Sequence, residues 1–300
     1  MACFCRMSNG VIDWRSAILS MRITVLALVA GLTFAAASAR AAPVDTGHIQ
    51  ADLVARTAAA APGSTFHVAL TQRLDQGWHS YWRNPGDAGA PPRIRWILPQ
   101  GWSAGSIVWA TPRRLPLKTL MDYGYTGEVV LPIPINVPAS ARPGQTVVLE
   151  AEVAFLVCQT LCVPERAVLS LPVRVQTGSP LPAPRTGALI DRALAAAPKS
   201  AGLTSSFARK GGVVTLTVDG PLLKGARADA AYFYPYASTV IEHAAPQRVE
   251  RRGDRIVFSL AAGEDFRRGA APTSLGGVIV LGGAAYEVTA RPRPAGRAGR

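Results

Sequence analysis

Thr146-Val-Val-Leu-Glu-Ala-Glu-Val-Ala-Phe-Leu-Val-Cys158 is the cleanest alternation in the 300-residue chain. Side chains of a β-strand point alternately to its two faces. Val147, Leu149, Ala151, Val153, Phe155 and Val157 therefore share one face, and Val148, Glu150, Glu152, Ala154 and Leu156 share the other. An apolar face backed by a carboxylate-bearing one is the pattern of a strand half-buried in an antiparallel sheet. Cys158 continues the wetter face of Glu150 and Glu152. After Gln159-Thr160-Leu161-Cys162, the residues Ala167, Leu169, Leu171, Val173 and Val175 form a return strand, with Pro172 and Arg174 on its outer side. The reading is a long hairpin with two cysteines at its tip.

Outward from that hairpin, short alternating runs separated by Pro and Gly continue in both directions, as in β-sandwiches. Thr65–Leu70 and Arg93–Leu98 read as strands. Val129-Val130-Leu131 runs into Pro132, Pro134 and Pro138, which demote that stretch to an edge strand or an extended segment. Ser179-Pro-Leu-Pro-Ala-Pro184 is a stiff linker, and Thr186–Ala197 reads as one short helix stopped by Pro198. Strands resume at Val213–Val218, Ala230–Tyr234, Ile256–Leu260, Val278–Leu281 and Tyr286–Ala290. The expected fold is all-β: two immunoglobulin-like β-sandwich domains joined by a Pro-rich linker with one short helix. The expected segments are 1–41, 42–64 as an N-terminal segment, 65–178, 179–203 as linker and helix, 204–291, and 292–300 as a disordered basic tail.

Residues 1–41 read as a signal peptide. Met21-Arg22 is a short positive region, Ile23–Ala37 an apolar run below the roughly 20 residues that span a bilayer, and Ala39-Arg40-Ala41 a cleavage site. Met21 is an alternative start. Cleavage after Ala41 removes Cys3 and Cys5, so the exported chain keeps Cys158 and Cys162 alone, in an oxidising compartment.

The chain carries 32 Lys+Arg against 19 Asp+Glu, a formal +13, with 49% hydrophobic residues. That apolar content excludes a chain disordered throughout. The basic residues are scattered except in the tail, and no zinc finger, helix-turn-helix or RNP pattern accompanies them, so nucleic acid is not an expected partner. No G-x-S-x-G, phosphate-binding loop or paired-carboxylate constellation supports a hydrolase or nucleotide-binding reading.

Three readings of Cys158 and Cys162 compete. Facing hairpin residues have Cα atoms about 4.5–5.5 Å apart, which suits a disulfide. As a staple it closes a loop of about five residues, for roughly 2 kcal/mol, near the low end for disulfides. A small ring is also readily reduced, which favours a redox role. Two thiolates also suit Cu(I), whereas tetrahedral zinc would need two further ligands that no spacing supplies. Trp78, Tyr81, Trp82 and the Tyr232-Phe233-Tyr234 run read as packing aromatics, and His79 and His243 as loop or surface residues. Glu165 and Arg166 flank the pair with opposite signs.

The run Phe155-Leu-Val-Cys158-Gln-Thr-Leu-Cys162-Val-Pro-Glu165 resembles the redox loop of the periplasmic N-terminal domain family of the thiol:disulfide interchange protein DsbD, in its ScsB-like branch. Gly77–Asp87, Asp122-Tyr-Gly-Tyr-Thr-Gly127 with Val129–Pro132, and Tyr232–Pro235 with Ile241–Gln247 resemble further segments of that branch. The resemblance implies an immunoglobulin-like domain whose cysteine pair shuttles electrons to or from exported thiol and disulfide proteins of the thioredoxin-like kind. It also implies a cap loop over the pair, at Met121, Asp122, Tyr123 and Gly124. The family's membrane channel and C-terminal thioredoxin-like domain are not matched, so a separate membrane electron-transfer protein is the implied donor.

The expectation is thus a periplasmic thiol:disulfide oxidoreductase without cofactor, in which Cys162 meets the partner and Cys158 resolves. The alternative is a copper-handling or adaptor module in which the pair is a Cu(I) ligand or a structural disulfide.

Overall fold

The computed structural model describes residues 42–225, 228, 230–269 and 272–293. The expected signal peptide, cleavage site and most of the basic tail lie outside them.

In the first half, a five-stranded sheet runs in the order Val44–Asp45, Ile49–Ala55, Thr65–Leu74, Glu128–Asn136, Ser103–Ala104. Packed on it is a seven-stranded sheet in the order Ala59–Ala60, Cys162–Val175, Thr146–Cys158, His79–Gly86, Leu120–Thr126, Arg113–Leu117. Arg93–Ile97 flanks Thr146–Cys158 beside His79–Gly86. The hairpin register is unbroken from Thr146↔Arg174 to Cys158↔Cys162. Leu149, Ala151, Val153, Phe155 and Val157 are all buried, against Leu70, Leu131, Ile133 and Ile135 from the opposing sheet. The alternation thus decides which face meets the core.

Ile49–Ala55, within the segment given no structure above, pairs with Thr65–Leu74 over its whole length and buries Ala51 and Leu53. Glu128–Asn136 is a nine-residue strand despite its prolines. Pro132 and Pro134 turn their carbonyls toward Val108 N (2.7 Å) and Gly105 N (2.8 Å). N–H and C=O of one strand residue point to the same side, so the missing N–H groups fall where the neighbouring segment asks for no donor. The ladder to Thr65–Leu74 is intact on the other side.

Thr186–Ala196 forms the expected helix, packing Ile190 with Val54 and Ala69 on the outside of the five-stranded sheet. Beyond it, two four-stranded halves enclose a core of Phe207, Leu216, Phe233, Phe258, Phe266 and Ile279. They join through a short parallel contact, Ser206↔Arg291 and Phe207↔Pro292. The last strand runs from Ala284 to Pro292, and Arg293 N still donates to Phe207 O at 2.7 Å.

The two halves share a seam. Tyr232, Tyr234 and Val278 belong to the first core. Trp82 meets Tyr234 edge-on at 6.1 Å, Asn84 donates from Nδ2 to Pro235 O at 2.8 Å, and Arg114 lies 4.7 Å from the Tyr232 ring centre.

Candidate functional site

Cys158 and Cys162 are joined as a disulfide, their Cα atoms 4.1 Å apart. Their exposures differ sharply. Cys162 is exposed, as is Leu161 before it (78%), whereas Cys158 is 1% exposed. The parity read from the sequence holds, but the wet face turns dry at its end, because His79 pairs with Cys158 and begins the strand His79–Gly86 alongside.

Two residues along that strand, on the same face as His79, Tyr81 reaches the sulfurs. Its hydroxyl donates to Cys158 Sγ at 2.8 Å and lies 3.5 Å from Cys162 Sγ. Burial, with the charge of Asp122 adding to it, pushes the Tyr81 pKa up to about 12, so the hydroxyl keeps its proton and is a standing donor. His79 Nε2 sits 3.3 Å from the same hydroxyl, and burial lowers its pKa, favouring the neutral ring. The result is a file of His79, Tyr81 and Cys158 beneath an exposed Cys162.

A loop covers Tyr81. Gly89, at φ +90°, lies so close that a Cβ there would fall 2.1 Å from Tyr81 Cζ. Only glycine fits both the left-handed backbone and the approach. The loop is pinned to Leu120–Thr126: Asp87 N donates to Met121 O (3.1 Å), Met121 N to Asp87 Oδ2 (2.7 Å) and Ala88 N to Asp122 Oδ1 (3.0 Å).

These contacts correct the expected cap. Tyr81 pairs with Gly124, and Ser80 with Tyr125. Strand parity therefore sends Tyr123 and Tyr125 to the face of Ser80 and Trp82, away from Tyr81 and the disulfide. Tyr123 is fully buried in the seam instead, its hydroxyl 2.9 Å from that of Tyr232 and 3.2 Å from His243 Nδ1. Gly124 serves close strand approach, not a mobile turn: a Cβ there would lie 2.0 Å from Ser80 O. Met121 and Asp122 hold the loop that covers Tyr81. Tyr81 and Gly89 are the site residues that the sequence reading missed. Pairing His79 with Cys158 would have revealed Tyr81, since the same-face neighbour follows at i+2.

Glu165 is buried, on the opposite face of its strand from Cys162, and does not approach the sulfurs. It accepts from the Thr46 hydroxyl and from His48 N (3.1 Å), and pairs with His48 Nδ1 (2.6 Å). His48 stacks on Trp78 at 3.7 Å. His243 is buried and not a surface residue, held by Ser238 O at 2.8 Å from Nε2. Among the described residues, no group of three or more His, Cys, Asp or Glu side chains is arranged to hold a metal ion.

Burial is the leading cause that lowers the pKa of His67, His79 and His243. A depressed histidine pKa means that the unfolded chain binds the proton more readily. Stability from these groups is complete above the unfolded value of about 6.5 and is lost as pH falls through it toward the folded values. Asp122, raised by burial, acts with the opposite sign. The urea midpoint is expected to drop from pH 7.5 to pH 5, and less steeply in His243→Gln. A midpoint independent of pH over that interval would contradict this.

Residues 50–173 match the family described as thiol:disulfide interchange protein DsbD, N-terminal. The fold is similar to that of the N-terminal periplasmic domain of ScsB from Proteus mirabilis. The TM-score is 0.61 at 18% identity, covering 85% of this chain and 97% of that one. A protein of unknown function from Porphyromonas gingivalis aligns at 11% identity over 82% of this chain and 100% of that one, with a TM-score of 0.19, too low to carry an argument. No curated protein matches the sequence.

Proposed function

From the premise that residues 50–173 form a DsbD N-terminal-like domain, we propose that this protein is an exported carrier of reducing equivalents that exchanges its Cys158–Cys162 disulfide with partner thiols. The observation that carries the reading is the asymmetry of the pair: one sulfur faces solvent, and the other is buried against a hydroxyl donor.

In the reducing direction, a partner thiolate attacks Cys162 Sγ and forms the mixed disulfide. The Cys158–Cys162 bond breaks, and its electron pair stays on Cys158 Sγ as a thiolate. The Tyr81 O–H then points at developing negative charge, where a hydrogen bond is strongest. The partner's second thiolate attacks its own sulfur in the mixed disulfide and releases Cys162 as a thiolate; the partner leaves oxidised. In reverse, the Cys162 thiolate attacks a partner disulfide, and Cys158 resolves it. Partners on this reading are exported thioredoxin-like proteins and a separate membrane electron donor. Export proceeds with cleavage after Ala41.

Equilibration in glutathione buffers, with alkylation and mass analysis, is the test. A carrier is expected to have a potential within about −180 to −300 mV, where exported oxidoreductases and glutathione exchange. A value below about −300 mV would make the pair a staple and sink the proposal.

A further inference from the structure

Leu156, Ala154 and Glu152 share the face of Cys158, and Pro164, Arg166 and Val168 share that of Cys162. This outer face of the hairpin is bare. Among the described residues, Ile97, Val148 and Val168 on it and Leu161 at its tip are four of the eight exposed large hydrophobic side chains, Val168 at 65%. Exposed apolar side chains gathered on one face are a feature of interaction sites.

Its charge is net positive: Arg93, Arg95, Arg166 and Arg174 stand on it with Glu150 and Glu152. Ala154 has Arg166 opposite it on one neighbouring strand and Arg93 on the other. The small alanine leaves an open groove of about 540 Å³, lined by Arg93, Arg95, Glu152, Ala154, Arg166 and Val168 among others. Glu152 is already matched, receiving a hydrogen bond from Arg95 Nε at 2.9 Å and a second from its Nη2. Arg93 and Arg166 form no hydrogen bond or ion pair among the described residues, although the charge of Arg166, after that of Arg95, helps to lower the Glu152 pKa. Their Cα atoms stand two strand spacings apart, about 10 Å, and both residues line the groove beside Ala154. Ala154 lies four positions from Cys158, and Arg166 four from Cys162, about 14 Å at strand rise.

We propose that this face is the docking surface for the exchange partner, and that Arg93 and Arg166 select a partner bearing carboxylates about 14 Å from its reactive cysteine. The inference rests on the redox reading above and adds to it the chemistry of the partner. A partner that attacks Cys162 over the exposed Leu161 and Pro164 and continues along the hairpin meets the arginine pair. Unpaired guanidinium groups favour carboxylates through bidentate geometry, and rim charges of this kind act mainly on association rate.

The probe is a synthetic dithiol peptide, Cys-x-x-Cys, with three aspartates four residues beyond, compared with its asparagine counterpart. Reduction of the oxidised protein is followed by acid quench and mass analysis. At about 20 mM salt the aspartate peptide is expected to react about tenfold faster, shrinking to about twofold near 500 mM, as screening demands. The Arg93→Ala/Arg166→Ala variant is expected to erase the difference, while the asparagine peptide, whose attacking thiolate still feels the lost charge, slows by no more than about twofold. Both positions are exposed, so folding is not at stake. Equal rates in wild type, or an advantage that survives in the variant, would overturn the proposal. So would equal peptide rates together with binding of wild type, but not variant, to phosphatidylglycerol vesicles, which would assign the face to a lipid surface. If neither peptide nor a small dithiol reduces the wild type, the redox reading fails first.

Discussion

At pH 9, iodoacetamide is expected to alkylate the single reactive-pair thiol of Cys158→Ser at least about a hundredfold faster than that of Cys162→Ser. That pH lies above the usual thiol value of about 8.5, which reduces the weight of ionisation in the comparison. Access does. Cys162 is exposed, whereas Cys158 is 1% exposed, behind Tyr81 and alongside His79. A reagent that reaches Cys158 has to wait for the strand or the tyrosine to open, and an opening costing about 3 kcal/mol slows attack by about a hundredfold. The same difference appears with a protein partner. Cys158→Ser is expected to accumulate the mixed disulfide, because the resolving sulfur is gone, and Cys162→Ser to form none. Equal alkylation rates, or a mixed disulfide formed through Cys158, would reverse the assigned roles.

Tyr81→Phe is expected to slow reduction of the oxidised protein by a small dithiol about tenfold. The phenyl ring still fills the space under Gly89, so cover and fold are kept. What is lost is the O–H that points at Cys158 Sγ from 2.8 Å. A hydrogen bond to a charged group contributes about 1.5–3 kcal/mol, and the charge appears only when the sulfur leaves. The reduced variant is also expected to show a higher thiol pKa at Cys158, which a change in packing alone would not produce. Tyr123→Ala is the control. It should cost about 3–5 kcal/mol of stability, as truncation of a buried aromatic does, and leave the reduction rate unaltered. Stopped-flow reduction and a thiol titration separate the two variants. An unchanged rate in Tyr81→Phe would remove the tyrosine from the chemistry.

Period-two patterning made the long hairpin legible. Thr146–Val157 has a single register that buries its large apolar groups, and that register alone places Cys158 opposite Cys162. The strand Ile49–Ala55 was hidden because Ile-Gln-Ala-Asp-Leu-Val-Ala has no clean alternation and carries the buried Asp52. The tyrosine at the sulfurs was hidden for a different reason. Tyr81, Tyr123 and Tyr125 all lie in strand-like sequence, and which of them faces the disulfide depends on the pairing of His79–Gly86 with Leu120–Thr126. That pairing spans some forty residues and contains an irregularity between Tyr81 and Gly86. Local sequence does not encode it. The cap at Tyr123 is implied by the resemblance, and the pairing of Tyr81 with Gly124 turns that ring one step of parity away from the disulfide. The seam is further still from local patterning, since Tyr232-Phe-Tyr reads as a strand wherever it docks.

That seam bears on what is separable in this molecule. The residues that match the redox family end at 173, yet the core beneath them is completed by Tyr232, Tyr234 and Val278, and Asn84 is anchored to Pro235. The strand His79–Gly86 belongs to both halves at once, with Tyr81 turned to the sulfurs and Trp82 to the rings beyond the linker. Chemistry and foldability therefore have different boundaries along the chain. A graft cut in the linker would carry off both cysteines but leave part of their foundation behind. Here the smallest transferable unit of the reaction is larger than the segment that performs it.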